Sequence, residues 1–421
     1  LKIAVVGAGV AGLVAAREFA RAHEVDVFEA DDRIGGHTHT IDVERPGRSP
    51  LPVDTGFIVF NEHAYPNFCA LLRELGVASK PSNMSFSVRN EATGFEYNAT
   101  SLGGLFAQRR NLVRPRMWGL LRDIARFFRE APALLEREDI SLTLEQFLAR
   151  GCYGRTFIDE HLMPMAGAIW SGRPDVMREV PAAFLIRFFA NHGFLQVSDR
   201  PPWRVIVGGS RTYLGPLTRS FAERIHRATP VAEVRREIDD RGRTKVLLRT
   251  AAGDEQRYDR VVLACHSDQT RSLLRDPTER EREVLAAFDY QRNVAVLHTD
   301  RRLMPRHRAA WASWNYHVTR PVAPVATVSY YMNMLQGFEA DEDYIVTLNR
   351  GDEIDPAKVL RTIEYHHPIY SREAVAAQRR HAEIDGVHGV HFCGAYWGYG
   401  FHEDAVRSAL VVAGNVGSAA T

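Results

Sequence analysis

Residues 2–36 read KIAVVGAGVAGLVAAREFARAHEVDVFEADDRIGG. Ile3–Val6 is the short apolar run that a strand buried on both faces of a parallel sheet needs, and VDVF repeats it. Between them Gly7, Gly9 and Gly12 fit GxGxxG at a strand-to-helix turn. Gly7 permits the tight turn, Gly9 lets a pyrophosphate reach the backbone, and Gly12 lets helix and strand pack closely, leaving the phosphates at the helix N-terminus. Glu29 closes the second strand, where a carboxylate accepts both ribose hydroxyls and disfavours a 2′-phosphate. GxGxxG alone is a weak signal; strand, helix, strand and terminal acid in register predict a dinucleotide site that is not for NADP.

A second set of glycines separates FAD from NAD. Arg33, Gly35 and Gly36 make another glycine turn, and PVDTGFIVFNEHAYPNF (52–68) places Asp54 and Gly56 in a further strand-turn. A second close backbone approach suits a cofactor that extends past its pyrophosphate toward a flavin. No second GxGxxG occurs; GGS (208–210) and GDE (351–353) lack the pattern. The expectation is one noncovalent FAD and no nicotinamide domain. His37, directly after Gly36, is the residue that covalent attachment would use.

The rest of the chain bounds the problem. Net charge is +1, with 45% hydrophobic and 25% charged residues, so no global field recruits nucleic acid. Basic charge is almost all arginine; the lysines are Lys2, Lys80, Lys245 and Lys358. Cys69, Cys152, Cys265 and Cys393 lie far apart, which predicts no metal and no disulfide framework and fits a reducing, cytoplasmic compartment. No apolar run is long enough to span a bilayer. The chain starts at Leu1 without a methionine, so a removed targeting segment stays open.

The predicted class is α/β, a Rossmann-like FAD-binding domain (GR2 type) with an interleaved α+β substrate domain. The FAD domain is assigned 1–65, 203–285 and 386–421, the substrate domain 66–202 and 286–385. Strands are expected around the Asp239-Asp240-Arg241-Gly242 turn, in VVLA (261–264) and in VHFCG (390–394), with a closing helix near Glu403. That helix N-terminus would stabilise negative charge on a reduced flavin. Residues 66–202 read as mainly helical, and 286–385 as strand-like in NVAVLHTD, AAWASWNYHV, ATVSYYMNML and YIVTLN.

These pieces together resemble the flavin-containing amine-oxidoreductase superfamily of monoamine oxidases, carotenoid desaturases and protoporphyrinogen oxidase. The likeness runs in order through VVGAGVAGL, EADDRIGG, VIVGGSRTYLGPL, TPVAEV, YDRVVLAC and FCGAYWGYGFHEDAVRSAL. MPMAGAIWSG, FFANHGFLQ, RPPWRVIVGGSR and FCGAYWGYGFHED are similar to a subgroup of flavoproteins that accompany lipid methyltransferases and are fused to plant cyclopropane fatty acid synthases. That resemblance implies desaturation of a mono-unsaturated phospholipid acyl chain, as in the furan fatty acid pathway, with a lipid methyltransferase as partner. It places Gly7, Gly9, Gly12 and Glu29 on the ADP part, Arg33, Gly35 and Gly36 near the pyrophosphate and ribityl chain, Val231 at the adenine, and Gly400, Phe401 and Glu403 beside the isoalloxazine. Two departures stand out. Ala395 and Tyr396 follow Gly394 where the family carries an acid on the ribityl chain. The strand expected to hold the water-binding lysine, YQRNVAVLHTD, offers Arg292 and Asn293.

The chemistry predicted is dehydrogenation of an apolar chain, with oxygen as acceptor and one base. Amine or amino-acid oxidation, double-bond isomerisation without net redox, and a noncatalytic lipid-delivery role are the alternatives. His192 and His402 are the candidate bases, each with a structural reading beside the catalytic one. Tyr330 and Tyr331 alternate, so one faces the cavity and the other the opposite layer. Phe401 occupies the cage-tyrosine position and makes that face less polar; Trp397 and Tyr399 accompany it, as lining or as packing. Glu403-Asp404 reads as capping. Cys265 and Cys393 read as inert. Arg122, Arg126 and Arg129 oppose Met117, Leu121, Ile124 and Phe128, a helix whose apolar side faces either the core or an anionic membrane.

Overall fold

The run Ile3–Val6 lies in the middle of a five-stranded parallel sheet in the computed structural model, which describes residues 1–137, 140–196, 199–240 and 242–418. The order is Ile225–His226, Glu24–Phe28, Lys2–Val6, Arg260–Leu263, Val390–Phe392. A parallel sheet needs cover on both faces. Helix Val10–Phe19 and the closing helix His402–Ser418 cover one face with Leu13, Val14, Val406 and Ala409. An antiparallel meander, Val231–Ile238, Thr244–Thr250 and Glu255–Tyr258, covers the other through Val234, Val246, Leu248 and Tyr258. Of the turn expected between its first two strands, Arg241 lies outside the described residues.

The second sheet has seven strands, in the order Val359–Ile369, Asp289–His298, Ile345–Leu348, Val328–Tyr331, Trp314–Val318, Phe86–Asn90, Phe95–Asn98. Trp314–Val318 and Phe86–Asn90 pair parallel, and the other neighbours antiparallel. Two parts of this sheet depart from expectation. The stretch 66–202, mainly helical as expected, also contributes the hairpin Phe86–Asn90/Phe95–Asn98, turning at Gly94 with φ +63°. The longest strand, Val359–Ile369, carries mostly half-buried or exposed side chains, so it offers no apolar run to read.

Helix Pro115–Glu130 buries Met117, Leu120, Asp123 and Phe127, and the predicted Leu121, Ile124 and Phe128 pack half-buried on the same core. The inward-facing acid has a chemical cause. Asp123 goes inward because its carboxylate accepts the Gly154 N–H at 2.8 Å, and the Arg126 guanidinium lies over the Tyr153 ring at 4.0 Å. Among the described residues no helix is long and apolar enough to cross a membrane, and no cluster of three metal-ligating side chains forms.

Candidate functional site

One cavity of about 680 Å³ runs from the C-terminal edge of the parallel sheet to the face of the seven-stranded sheet. Its first end is a cradle of bare backbone. Gly7 turns at φ +103°, and its N–H donates to Phe28 O at 2.8 Å. A Cβ on Gly12 would lie 1.9 Å from Gly7 O, so helix and strand touch there. A Cβ on Gly9 meets nothing within 4 Å; that direction is cavity. The second glycine turn docks on the first: Gly35 N–H donates to Ala8 O at 2.8 Å, and a Cβ on Gly36 would sit 3.2 Å from Gly9 Cα. Glu29 takes the Ala8 N–H at 2.7 Å and the Asp31 N–H at 3.0 Å, which aims its carboxylate along the cavity wall. Val231, at the start of the bulged meander strand, and Arg33 line the same end.

The middle is closed by the final strand and helix. Gly394, Ala395, Tyr396, Gly400, Phe401 and His402 line the cavity. Gly400 adopts φ +90°, and a Cβ there would strike the Tyr370 hydroxyl at 2.5 Å. Asp404 accepts the Tyr399 and Phe401 N–H groups, ordering the loop at the helix start, while burial raises its own pKa to about 6. Glu403 does not reach the cavity. It accepts the Asn67 and Phe68 N–H groups at 3.2 and 3.0 Å and so caps helix Pro66–Glu74, which corrects its placement beside the isoalloxazine.

His402 lines the wall, but its Nε2 is engaged by Thr38 Oγ1 at 3.0 Å and the Tyr213 hydroxyl at 3.2 Å, and its ring stacks 3.6 Å from Phe57. Burial lowers its pKa to about 3. His192 differs. Its Nδ1–H donates to Phe188 O at 2.8 Å, which leaves Nε2 unprotonated and able to accept. It sits among Phe188, Phe194, Trp203 and Phe401, with a pKa lowered by burial to about 4. Tyr330 faces the cavity, its hydroxyl donating to Ala168 O at 3.3 Å; Tyr331 points to the opposite layer and donates to Asp343 at 2.6 Å. The Phe401 ring stacks on Phe188 at 5.2 Å, and Trp170 is pinned beside them by its Nε1–H to Tyr399 O.

A group of imidazoles that sequence reasoning does not assemble forms the remaining wall. The His37 ring lies 5.3 Å from His367 and 6.2 Å from His266, with Tyr365 stacked on it at 5.0 Å. Asn293 Nδ2 donates to His367 Nδ1 at 3.1 Å, so the His367 proton is on Nε2. Burial lowers His37 and His367 to about 3 and His266 to about 4. Their positions, 37, 266 and 366–367, share no local pattern; CHS directly after the recognised strand 261–264 is a signal, whereas HHP lies in strand Val359–Ile369, which has no apolar run to mark it. Cys265 also lines the cavity, and burial holds its thiol up at about 11. None of the four lysines lines the cavity: Lys80 donates to Gly337 O and Lys245 pairs with Asp259.

FAD fits this cavity on its own geometry: two adjoining bare-backbone turns, an anchored acid at the nucleotide end, a helix N-terminus at the middle, and His37 Nε2 buried without a protein partner directly after Gly36. The fold and site thus define an FAD site on a Rossmann-like nucleotide domain, with a second domain that completes the cavity. The chain belongs to the family of flavin containing amine oxidoreductases, which it matches over residues 10–342. It is similar to a protein of Mycobacterium tuberculosis named as a putative flavin-containing monoamine oxidase, 45% identical over 85 residues, which are 19% of this chain and 17% of that one. The chain thus spans less than a fifth of that curated relative. Among solved structures, putrescine oxidase bound to putrescine superposes with a TM-score of 0.70 at 16% identity over 99% of both chains. A conjugated-linoleic-acid-producing fatty acid isomerase from P. acnes gives 0.66 at 16% over 98% of both. At such identities these structures share the fold alone.

Proposed function

We propose that this FAD-dependent oxidoreductase removes hydrogen from an apolar, unsaturated fatty-acyl chain and passes the electrons to dioxygen. One observation carries the reading: the composition of the chamber wall beyond the cradle. Ile58, Val59, Met84, Ile169, Phe194 and Leu348, with the rings of Trp170, Phe188, Trp203 and Trp314, form that wall. Among the described residues it holds no carboxylate and no lysine; the acids that line the cavity are Glu29 and Asp31 at the nucleotide end and Glu364, which pairs with Arg292 and His366. An ammonium substrate would lose its hydration without gaining a counter-charge there. An acyl chain gains ~0.8 kcal/mol per buried methylene.

Bound FAD supplies a two-electron acceptor, and the protein supplies position and dryness. Gly9, Gly36 and Glu29 hold the nucleotide end. Phe188, Phe401 and Trp170 keep water from the reacting carbon. As one carbon of the chain gives up a hydride to the two-electron acceptor, His192 Nε2, with its proton already on Nδ1, would take the proton from the neighbouring carbon, so that the chain loses H₂ in total. Return of the hydride to a different carbon, with no proton lost, gives double-bond isomerisation, the second reading, which consumes no oxygen. Where dehydrogenation operates, a lipid methyltransferase is the partner that would use the product.

The test is anaerobic mixing of the oxidised protein with a mono-unsaturated phospholipid, following flavin absorbance and acyl-chain mass together. Bleaching with loss of one H₂ per flavin is expected. Bleaching with unchanged lipid, or bleaching by amines alone, overturns the proposal.

A further inference from the structure

Eleven large apolar side chains are exposed among the described residues, and four of them fall in one stretch: Leu102 (75%), Leu112 (50%), Val113 (83%) and Trp118 (53%). They are held together. Trp118 Nε1–H donates to Leu112 O at 2.9 Å, and its ring lies 6.0 Å from Phe106. Buried Asn111 fastens the turn to the seven-stranded sheet, donating to Glu96 O at 3.2 Å. The exposure therefore belongs to a fixed corner of the fold, whose inner side chains Leu105 and Phe106 pack on the core that walls the chamber.

Charge sets this corner apart as well. Residues 97–122 contain five arginines and no acid. Arg116 pairs with Glu160 and Arg122 with Asp123. Arg109, Arg110 and Arg114 have no carboxylate partner among the described residues, and the charged neighbours of Arg114 are Arg110 and Arg116. The helix beyond them turns its apolar face inward, so Met117, Leu120 and Phe127 are unavailable to a partner. What remains outside is a group of leucine, valine and indole side chains with neighbouring guanidinium groups that have no carboxylate partner among the described residues.

We infer that this corner docks on an anionic phospholipid surface. Val113, Leu112, Leu102 and Trp118 enter the headgroup–acyl boundary, where an indole is favoured, while Arg109, Arg110 and Arg114 meet lipid phosphates. A protein partner would need carboxylates facing these arginines and a pocket for Val113; a leaflet supplies both charge and depth without shape matching. Docking is independent of the acyl-chain reading, because it is measured without turnover.

The experiment is co-sedimentation of the flavin-loaded protein with vesicles of phosphatidylcholine alone or mixed with phosphatidylglycerol. Binding to the anionic vesicles is expected, with weak binding to neutral ones and weakening in high salt. Arg109→Glu or Arg110→Glu lowers the affinity about fivefold or more each, and the double variant Leu112→Glu/Val113→Glu abolishes binding. Val322→Glu, at an exposed valine elsewhere, leaves it unchanged. All variants are compared at equal flavin content, which excludes misfolding. Absence of binding to anionic vesicles, full binding by the Leu112/Val113 variant, or equal loss with Val322→Glu overturns the inference.

Discussion

At one end of the cavity, Gly7, Gly9, Gly35 and Gly36 present bare backbone and space; at the other, Trp170, Phe188, His192, Trp203 and Trp314 present ring faces. The cradle comes from one continuous segment in which each glycine has its own steric reason. The chamber combines the stretch from Trp170 to Trp203 with Trp314, more than a hundred residues further on, and these meet only when the seven-stranded sheet closes over helices Met163–Trp170 and Ala182–Asn191. A cradle built of backbone recognises the constant part of a cofactor and tolerates almost no change. A wall built of side chains sets which substrate enters and changes by single substitutions.

The sharpest way to break this contrast is a pair of glycine variants. Gly12→Val drives a side chain into Gly7 O and should cost ~3 kcal/mol or more, losing both fold and flavin on thermal unfolding and absorbance. Gly9→Leu faces open cavity at an ordinary φ of −72°, so the protein should remain folded while flavin retention drops at least a hundredfold. A yellow Gly9→Leu protein would mean that the cradle had been misassigned.

At the chamber end, His192→Ala should lower turnover by ~10²–10⁴ with flavin content unchanged. Equal turnover in variant and parent would reduce His192 to packing.

The cavity wall depends on neutral imidazoles. Burial lowers the pKa of His402 to about 3 and that of His192 to about 4, below the 6.5 of the open chain. The unfolded chain therefore takes up these protons first. Stability is whole above about pH 6.5 and declines as pH falls toward 4 and then 3, which chemical denaturation at stepped pH measures. A flat profile across that window would contradict burial of these rings as neutral groups.

Smaller effects refine the boundary between the regions. Glu403→Ala should cost ~1 kcal/mol of stability through the lost cap on helix Pro66–Glu74 while flavin affinity stays within twofold, since its carboxylate faces Asn67 and Phe68. Tyr330→Phe should change turnover less than threefold, because its hydroxyl is tied to Ala168 O at 3.3 Å.

Much of this molecule is legible in its residues alone. GxGxxG with Glu29, the second glycine turn, and the alternation of Tyr330 and Tyr331 follow from local sterics, where each residue's requirement is met by neighbours in the chain. The direction of the Glu403 carboxylate is not legible, because a helix start shows its acids in order but not where each one points. Nothing close in sequence marks Asp123 as buried, because its partner, the Gly154 N–H, is thirty-one residues away. The strand Val359–Ile369 escapes notice because its half-exposed side chains hide its pairing with Asp289–His298.

By itself, the sequence determined the nucleotide cradle, the parallel sheet that carries it, the four lysines and the acid-free arginine stretch, since these depend on residue type and close spacing. Only the tertiary structure decided which histidine keeps a free nitrogen in the cavity, that His37, His266 and His367 share a wall, and which apolar residues stay outside. Those facts depend on where distant backbone carbonyls, amides and rings come to rest, and a hydrogen bond or a buried ring is a property of the pair and not of either residue.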